Sequence, residues 1–477
     1  MSQTLHFQSA SQFKERCRTA VNDAAQRQNF RGAMDFLQDK RRAQFSDAEE
    51  SAGLRELGES IRRYSLAHLP QLLERLEENL SANGIRVHWA ESAAQANAIA
   101  LRIARRAGAR RIIKGKSMVS EEIGFNHAMQ DAGIEALESD MGEYIVQLAG
   151  EAPSHIIMPA IHKTKQEIAA LFAEKIPGTP LNDDVDALIL IGRQALRRKF
   201  AEADIGLSGV NFAVAESGTL CLVENEGNGR MCTTVPRIHI AITGIEKVVE
   251  KLEHVPPLFS LLTRSATGQA VTTYLNLISR PRQPGEKDGP EEVHLILLDN
   301  GRSQAYADLQ LRATLQCIRC GACMNHCPVY ARIGGHAYGT TYPGPIGAII
   351  SPHLLGLGAT YPLAFASTLC GACVEVCPVK IPITDILIRL RNEAQARPSS
   401  TAASLRGSGA ARTALGSAIW RGWSLIYGRL GLYRLTSWLM SRGRALSPPD
   451  QGAWTESRTP LKPAPKRLRD LLKEKDQ

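Results

Sequence analysis

The stretch "STLCGACVEVCPVKI", residues 367–381, is a ferredoxin-type cysteine run with one cysteine missing. The full run reads C-x2-C-x2-C-x3-C-P. Here it supplies Cys370, Cys373, Cys377 and Pro378, and Ser367 stands where the first cysteine would fall. The complete version lies upstream in "CIRCGACMNHCPVY", residues 317–330, with Cys317, Cys320, Cys323, Cys327 and Pro328. Thiolates are soft donors that match iron and bridging sulfide. Two-residue spacing lets three sulfurs converge on one cluster, and in two-cluster ferredoxins the fourth cysteine of a run ligates the other cluster. The expectation is therefore a crossover. Cys317, Cys320, Cys323 and Cys377 hold a first [4Fe-4S] cluster, and Cys327, Cys370 and Cys373 hold a second. Three thiolates leave the second site one ligand short. Ser367, water or a partner group completes it, or the cluster is [3Fe-4S]. Zinc also uses C-x2-C pairs, but interlocked spacing with two C-P endings favours iron and sulfide. The remaining cysteines read as structural: Cys221 and Cys232 in a strand-like apolar run, and Cys17 near the start.

Composition fits this. The chain has 477 residues, 44% hydrophobic and 22% charged, enough for two to four globular domains. Its start has no apolar core of the signal-peptide kind, and no uncharged run reaches the length of a spanning helix. The expected location is the cytoplasm, where ten cysteines argue for metal rather than disulfides. The net charge of +9 is uneven: between Glu393 and Asp450 there are eight arginines and no acid. Such a field suits an acidic protein or an anionic membrane surface. No nucleic-acid motif accompanies it, so a nucleic-acid partner is not expected.

Along the chain, residues 1–65 read as a polar helical segment. Residues 66–305 read as an α/β domain. It opens with the leucine-spaced helix of 66–82, followed by strands in "GIRVHWA", "ARRIIKGKS" and "IEALESDMGEYIVQL" that alternate with helices in "AAQANAIALRIARRAG" and "EEIGFNHAMQDAG". Further apolar runs follow at "ALILIG" (187–192), "FAVAESGTLCLVEN" (212–225), "HIAITGI" (239–245) and "VHLILLD" (293–299). Residues 306–398 form the cysteine domain, with strong helical pattern only at its edges. Residues 399–477 comprise a small-residue linker, an amphipathic block at 414–446 and a loose end. The block carries Trp420, Trp423 and Trp438, with Arg421, Arg429, Arg434 and Arg442 between apolar residues, a pattern for a helix packed on its own ferredoxin domain, for partner docking or for an interfacial membrane helix. The cysteine motifs are the one internal repeat. No G-x-G-x-x-G follows a strand, so a dinucleotide fingerprint is absent. Two clusters in a small domain make an electron wire, not a catalytic pocket.

Five further stretches, "KGKSMVSEEIGFN" (114–126), "GEYIVQLAGEAPSHIIMPAIHK" (142–163), "AESGTLCLVENEGNGRM" (215–231), "RSATGQA" (264–270) and "DNGR" (299–302), together with the cysteine block, resemble the lactate-utilisation protein B family. The resemblance covers about 70–445. It implies a LUD domain of NagB/RpiA/CoA-transferase-like fold, a mainly α-helical two-cluster ferredoxin domain and a short C-terminal domain. It also implies oxidation of L-lactate to pyruvate beside two other subunits, with this chain carrying the electrons. The rivals are a catalytic pocket in the LUD domain itself and clusters that only hold a scaffold together. Within the LUD stretches, "NEGNGR" and "DNGR" read as tight turns, with anion binding as the alternative. Glu216 matches a CoA-transferase carboxylate only loosely. Lys114, Lys116, Glu121 and Glu122 read as a solvated face or helix cap. His155, His162 and His239 read as satisfied structural residues.

Overall fold

The computed structural model describes residues 12–396, 405, 407, 409–411, 413–452, 455 and 458–475, so most of the linker lies outside it. The chain divides into two compact units, Met1–Ala410 and Ala411–Gln477.

Among its described residues the first unit has ten strands: β1 (Arg86–Ala90), β2 (Arg111–Gly115), β3 (Glu135–Glu138), β4 (Ile205–Gly209), β5 (Phe212–Val214), β6 (Thr219–Glu224), β7 (Ile238–Gly244), β8 (Val248–Val249), β9 (Tyr274–Ile278) and β10 (Glu292–Leu298). Six form one sheet in the order β1-β10-β7-β4-β2-β3, and every neighbouring pair is parallel. The central strands β4 and β7 are buried throughout. Parallel strands covered on both faces carry near-continuous apolar runs rather than alternation. The helix Ala93–Arg106 covers one face. Ser92 caps it by accepting from the Gln95 amide, and Ala96, Ile99, Ala100 and Ile103 pack with Ile112, Ile205 and Ile240. The helix Leu69–Ala82 covers the other face through Leu72, Leu76 and Leu80, against Leu295 and Leu297. Truncating Leu76, fully buried there, to alanine would cost about 2–5 kcal/mol. The other four strands form a small sheet, β8-β5-β6-β9.

Several local expectations change. The "ALILIG" run lies inside the helix Val185–Ala201, started by Asp184 accepting from the Ala187 amide. A short apolar run does not by itself distinguish strand from helix. The "EEIGFNHAMQDAG" helix is two, Met118–Glu122 and Phe125–Asp131, broken where Gly124 takes φ 63°. Cys232 is helical, in Asn228–Thr234, while Cys221 sits in β6 as expected of a strand. Between the cysteine motifs run the helices Gly344–Leu355 and Leu357–Phe365. The first has ten buried residues and an internal proline, so it shows no polar face to betray its period.

Three helices at the start, Phe13–Asn22, Ala24–Gln44 and Ala48–Ala67, wrap the cysteine segment. Phe30 meets Tyr330 edge-on at 5.8 Å, Gln38 Nε2 donates to the Asn325 carbonyl at 2.7 Å, and Arg55 donates to the Glu375 and Cys377 carbonyls.

In the second unit the amphipathic block is two helices, Ala414–Gly428 and Leu430–Arg442, separated by an extended Arg429. The end is not wholly loose, since Leu468–Lys475 is helical. Among the described residues no helix is long and apolar enough to cross a membrane.

Candidate metal centres

The two cysteine runs fold into near-identical lobes. Arg319 and Leu369 both take left-handed φ, 62° and 56°, and Gly321 and Gly371 follow at 75° and 87°. One helical turn comes next in each, Ala322–Asn325 and Ala372–Glu375. In each, the amide three residues beyond the glycine donates back to the glycine carbonyl at 2.9 Å, Met324 to Gly321 and Val374 to Gly371. The tight turns set the cysteine side chains toward common points. A bulky residue in the left-handed region costs about 1–2 kcal/mol, so two such residues in matching places mark a demanding backbone path.

The thiols fall into two groups. Cys317, Cys320, Cys323 and Cys377 line one small cavity with Ile346, Val379, Ile381 and Ile383. All four are buried. Burial, then mutual repulsion among these four, pushes Cys320 up to about 12 and Cys323 well above its ordinary value. Burial raises Cys377 to about 11. The second group is Cys327, Cys370 and Cys373. Burial and then repulsion from Cys327 and Cys370 raise Cys373 to about 11. Cys370 is exposed, and a hydrogen bond with the Thr368 side chain lowers its pKa. Cys377, from the second run, thus faces the first group, and Cys327, from the first run, faces the second.

These residues fit an iron–sulfur cluster at each group. A set of buried thiols is costly to ionise without a cation among them, and the cavity between the first four supplies the place for one. Backbone amides already aim at sulfur: Arg319 N donates to Cys317 Sγ at 3.3 Å, Ile381 N to Cys377 Sγ at 3.3 Å and Tyr330 N to Cys327 Sγ at 3.5 Å. Such donors stabilise thiolates and tune cluster potential.

A buried charge network that sequence reading missed joins the first group to the parallel sheet. Arg319, between two of the cysteines, pairs with Glu246 at 3.3 Å and stacks its guanidinium over Tyr342 at 4.7 Å. Glu246 meets Arg302 at 2.7 Å, and Arg302 grips both oxygens of Glu122 at 2.9 and 2.8 Å. Tyr342 donates to Glu122 at 2.8 Å, and Asn300 of the "DNGR" turn does the same. Lys247 Nζ donates to the Cys317 carbonyl at 3.0 Å, and burial lowers its pKa to about 7. Arg62, also fully buried, donates to the carbonyls of Glu246, Val248, Leu315 and Gln316. The network sits just past the carboxyl ends of β7 and β10, where ligands of open α/β sheets bind. Here Arg319, Tyr342 and His353 of the cysteine segment pack onto that edge.

The Lys114–Glu122 junction is therefore not a solvated face. Lys114 is 0% exposed and pairs with Glu138 at 2.6 Å and with Glu121. Lys116 pairs with Asp140. Burial and then repulsion from Glu138 and Asp140 hold Glu143 well above the ordinary carboxylate range. The cap in this stretch is Ser117, which accepts from the Ser120 amide. Glu216 is exposed and accepts from the Leu252 amide at 3.3 Å, a turn role. His155 is satisfied as expected, bonded to Asn325 and accepting from two amides. His239 bonds Ser208 at 2.9 Å through one ring nitrogen. His162 bonds Glu151 at 2.6 Å, and with His336 these three place ligand atoms within 4.8 Å of one another. Lys163 already pairs with that carboxylate at 2.7 Å, which satisfies it without a metal.

The sequence matches three families: LUD domain over residues 73–298, 4Fe-4S dicluster domain over 313–381, and Lactate utilisation protein B, C-terminal over 389–477. It is 42% identical over 470 residues to Lactate utilization protein B of Macrococcus caseolyticus, covering 96% of both chains. It is 44% identical over 387 residues to the Uncharacterized electron transport protein YkgF of Escherichia coli, covering 80% of both. To Lactate utilization protein B of Bacillus pumilus it is 45% identical over 383 residues, again with 80% of both covered. The chain belongs to the lactate utilization protein B family and is an iron–sulfur protein, with a parallel α/β domain followed by a 4Fe-4S dicluster domain.

Proposed function

We propose that the chain is the electron-transfer subunit of a complex that oxidises L-lactate to pyruvate. The observation that carries this is the pair of thiol groups in one module, four buried sulfurs beside three that reach the surface through Cys370. Clusters bound there exchange single electrons with partners, and two of them match the two electrons that leave lactate. Cys317, Cys320, Cys323 and Cys377 hold the first, and Cys327, Cys370 and Cys373 hold the second. Exposed Cys370 makes the second group the port for exchange with another protein. The names of relatives in Macrococcus, Bacillus and Escherichia coli support both lactate and electron transport as the context.

Lactate binding and proton removal belong to other subunits, two by the family resemblance. The carboxyl edge of the parallel sheet, the natural place for a rival catalytic pocket, is packed by Arg319 and Tyr342. The arginine-rich arm at 414–446 docks an acidic partner surface or the anionic inner face of the membrane, in a cytoplasmic complex. The domain limits of this reading are 1–65, 66–305, 306–398 and 399–477.

The test is a lactate-oxidation assay with a dye acceptor, on the purified chain alone and reconstituted with its partner subunits. Turnover only in the reconstituted mixture, with the isolated chain reducible by an artificial donor, is expected. Steady turnover by the isolated chain would favour the catalytic-pocket rival.

A further inference from the structure

The two lobes repeat one another from Cys317 and Ser367 through the helical turns Ala322–Asn325 and Ala372–Glu375, and in that repeat Ser367 stands where Cys317 stands. Cys317 Sγ accepts from the amide of the left-handed residue two places on, Arg319, at 3.3 Å. Ser367 Oγ accepts from the amide of the left-handed residue two places on, Leu369, at 3.1 Å. Leucine in the left-handed region is strained, and nothing in its own side chain favours it. The strained turn serves to fold the 367–370 segment along the path that puts Cys317 among its partner thiols. A second contact pins the serine: Arg391 donates to its carbonyl at 2.8 Å, and through Nε to the Ala364 carbonyl at 2.8 Å. The serine hydroxyl is thus held by the same backbone device that holds the Cys317 sulfur in the first run. The group it would complete is one donor short: Cys327, Cys370 and Cys373 supply three sulfurs.

We propose that Ser367 Oγ is the fourth ligand of the second cluster, which is then a [4Fe-4S] cluster with three thiolates and one serine oxygen. This rests on the cluster assignment above. As the Fe–O bond forms, the hydroxyl proton leaves to solvent, which reaches the site because Cys370 is exposed and Ser367 is only half-buried. An oxygen ligand is harder than sulfur and suits a ferric-leaning iron. It also gives one iron a site unlike the other seven.

The full-length chain, purified anaerobically with enriched iron, is compared with Ser367→Cys and Ser367→Ala by iron content, Mössbauer spectroscopy and EPR. In the unaltered chain, about one iron in eight should show a distinct, non-thiolate Mössbauer site. Ser367→Cys should keep all the iron, abolish that site and change the EPR signal of the second cluster alone. Ser367→Ala should lose about one-eighth of the iron and gain a [3Fe-4S] signal on oxidation. A second cluster with unchanged spectra in both variants would overturn the serine ligand while leaving the cysteine assignment standing. Absence of any second cluster from the unaltered chain would overturn both.

Discussion

Replacing Arg302 with leucine tests the buried network that locks the cysteine module onto the sheet. Arg302 is 0% exposed and ties together two carboxylates that are 3% and 1% exposed, Glu122 and Glu246. Burial pushes the Glu246 carboxyl up, but Arg302, Arg319 and Lys247 together outweigh it and hold it at about 2 against an ordinary 4.5. A carboxyl held low in the folded state adds stability that is full above its unfolded pKa and is lost as pH falls from about 4.5 through about 2. At neutral pH that depression corresponds to about 3 kcal/mol. Leucine leaves Glu246 with Arg319 and Lys247, and leaves Glu122 with only the neutral donors Asn300 and Tyr342. Breaking one partner out of a buried ion pair costs about 3–5 kcal/mol. For the compact unit Met1–Ala410 that holds the network, at roughly 1 °C per kcal/mol, this lowers the midpoint by about 3–6 °C. The assay is thermal unfolding of the iron-loaded chain by circular dichroism at pH 7.5 and one fixed scan rate. Arg302→Lys, which keeps the charge but loses the fork, should fall between the two. A drop under about 2 °C for the leucine variant would refute the reasoning, because the network would then contribute little to holding the two parts together.

Two other predictions concern the LUD domain and the arm. Glu143 is a buried acid held well above its ordinary pKa, so it opposes folding increasingly as pH rises through and beyond the ordinary carboxylate range. Glu143→Gln should therefore gain in midpoint relative to the unaltered chain on going from pH 5.5 to 8.5. A gap that is constant or shrinks over those two thermal scans would count against the burial argument. Deleting residues 411–477, the second compact unit, should leave iron content unchanged but weaken co-purification of partner subunits. Full partner recovery would reject docking through the arm.

The grouping of the thiols was legible because a cysteine run is written in local spacing, and in each run the cysteine of the C-P ending faces the other group. Alternating strands and helices likewise gave the parallel sheet, since β2, β3 and the helix Ala93–Arg106 carry clear patterns. The charge network was not legible. Glu122, Glu246, Arg302 and Arg319 lie up to 197 positions apart in the chain, and a charged residue at a strand-to-helix junction has the same appearance whether it faces water or another charge. Glu121 and Glu122 read as a solvated face or cap and "DNGR" as a tight turn; the cap is Ser117, and Glu122 and Arg302 turn inward and meet at 2.8 Å. The helix Gly344–Leu355 between the cysteine runs was not legible for a related reason: burial nearly all round erases the polar stripe that reveals a helix. The repeat of Arg319 and Leu369 in the left-handed region could be seen only in the backbone, since neither residue type favours that conformation.

The crossing of Cys377 and Cys327 between the two lobes is the centre of the account, and Cys377→Ala addresses it most directly. The variant is purified anaerobically beside Cys327→Ala, and both are reduced and read by EPR and iron content. Cys377→Ala should lose or degrade the first cluster and retain the second, with the opposite pattern in Cys327→Ala. Loss of only the second cluster's signal in Cys377→Ala would mean that each run binds its own cluster, and would contradict the arrangement.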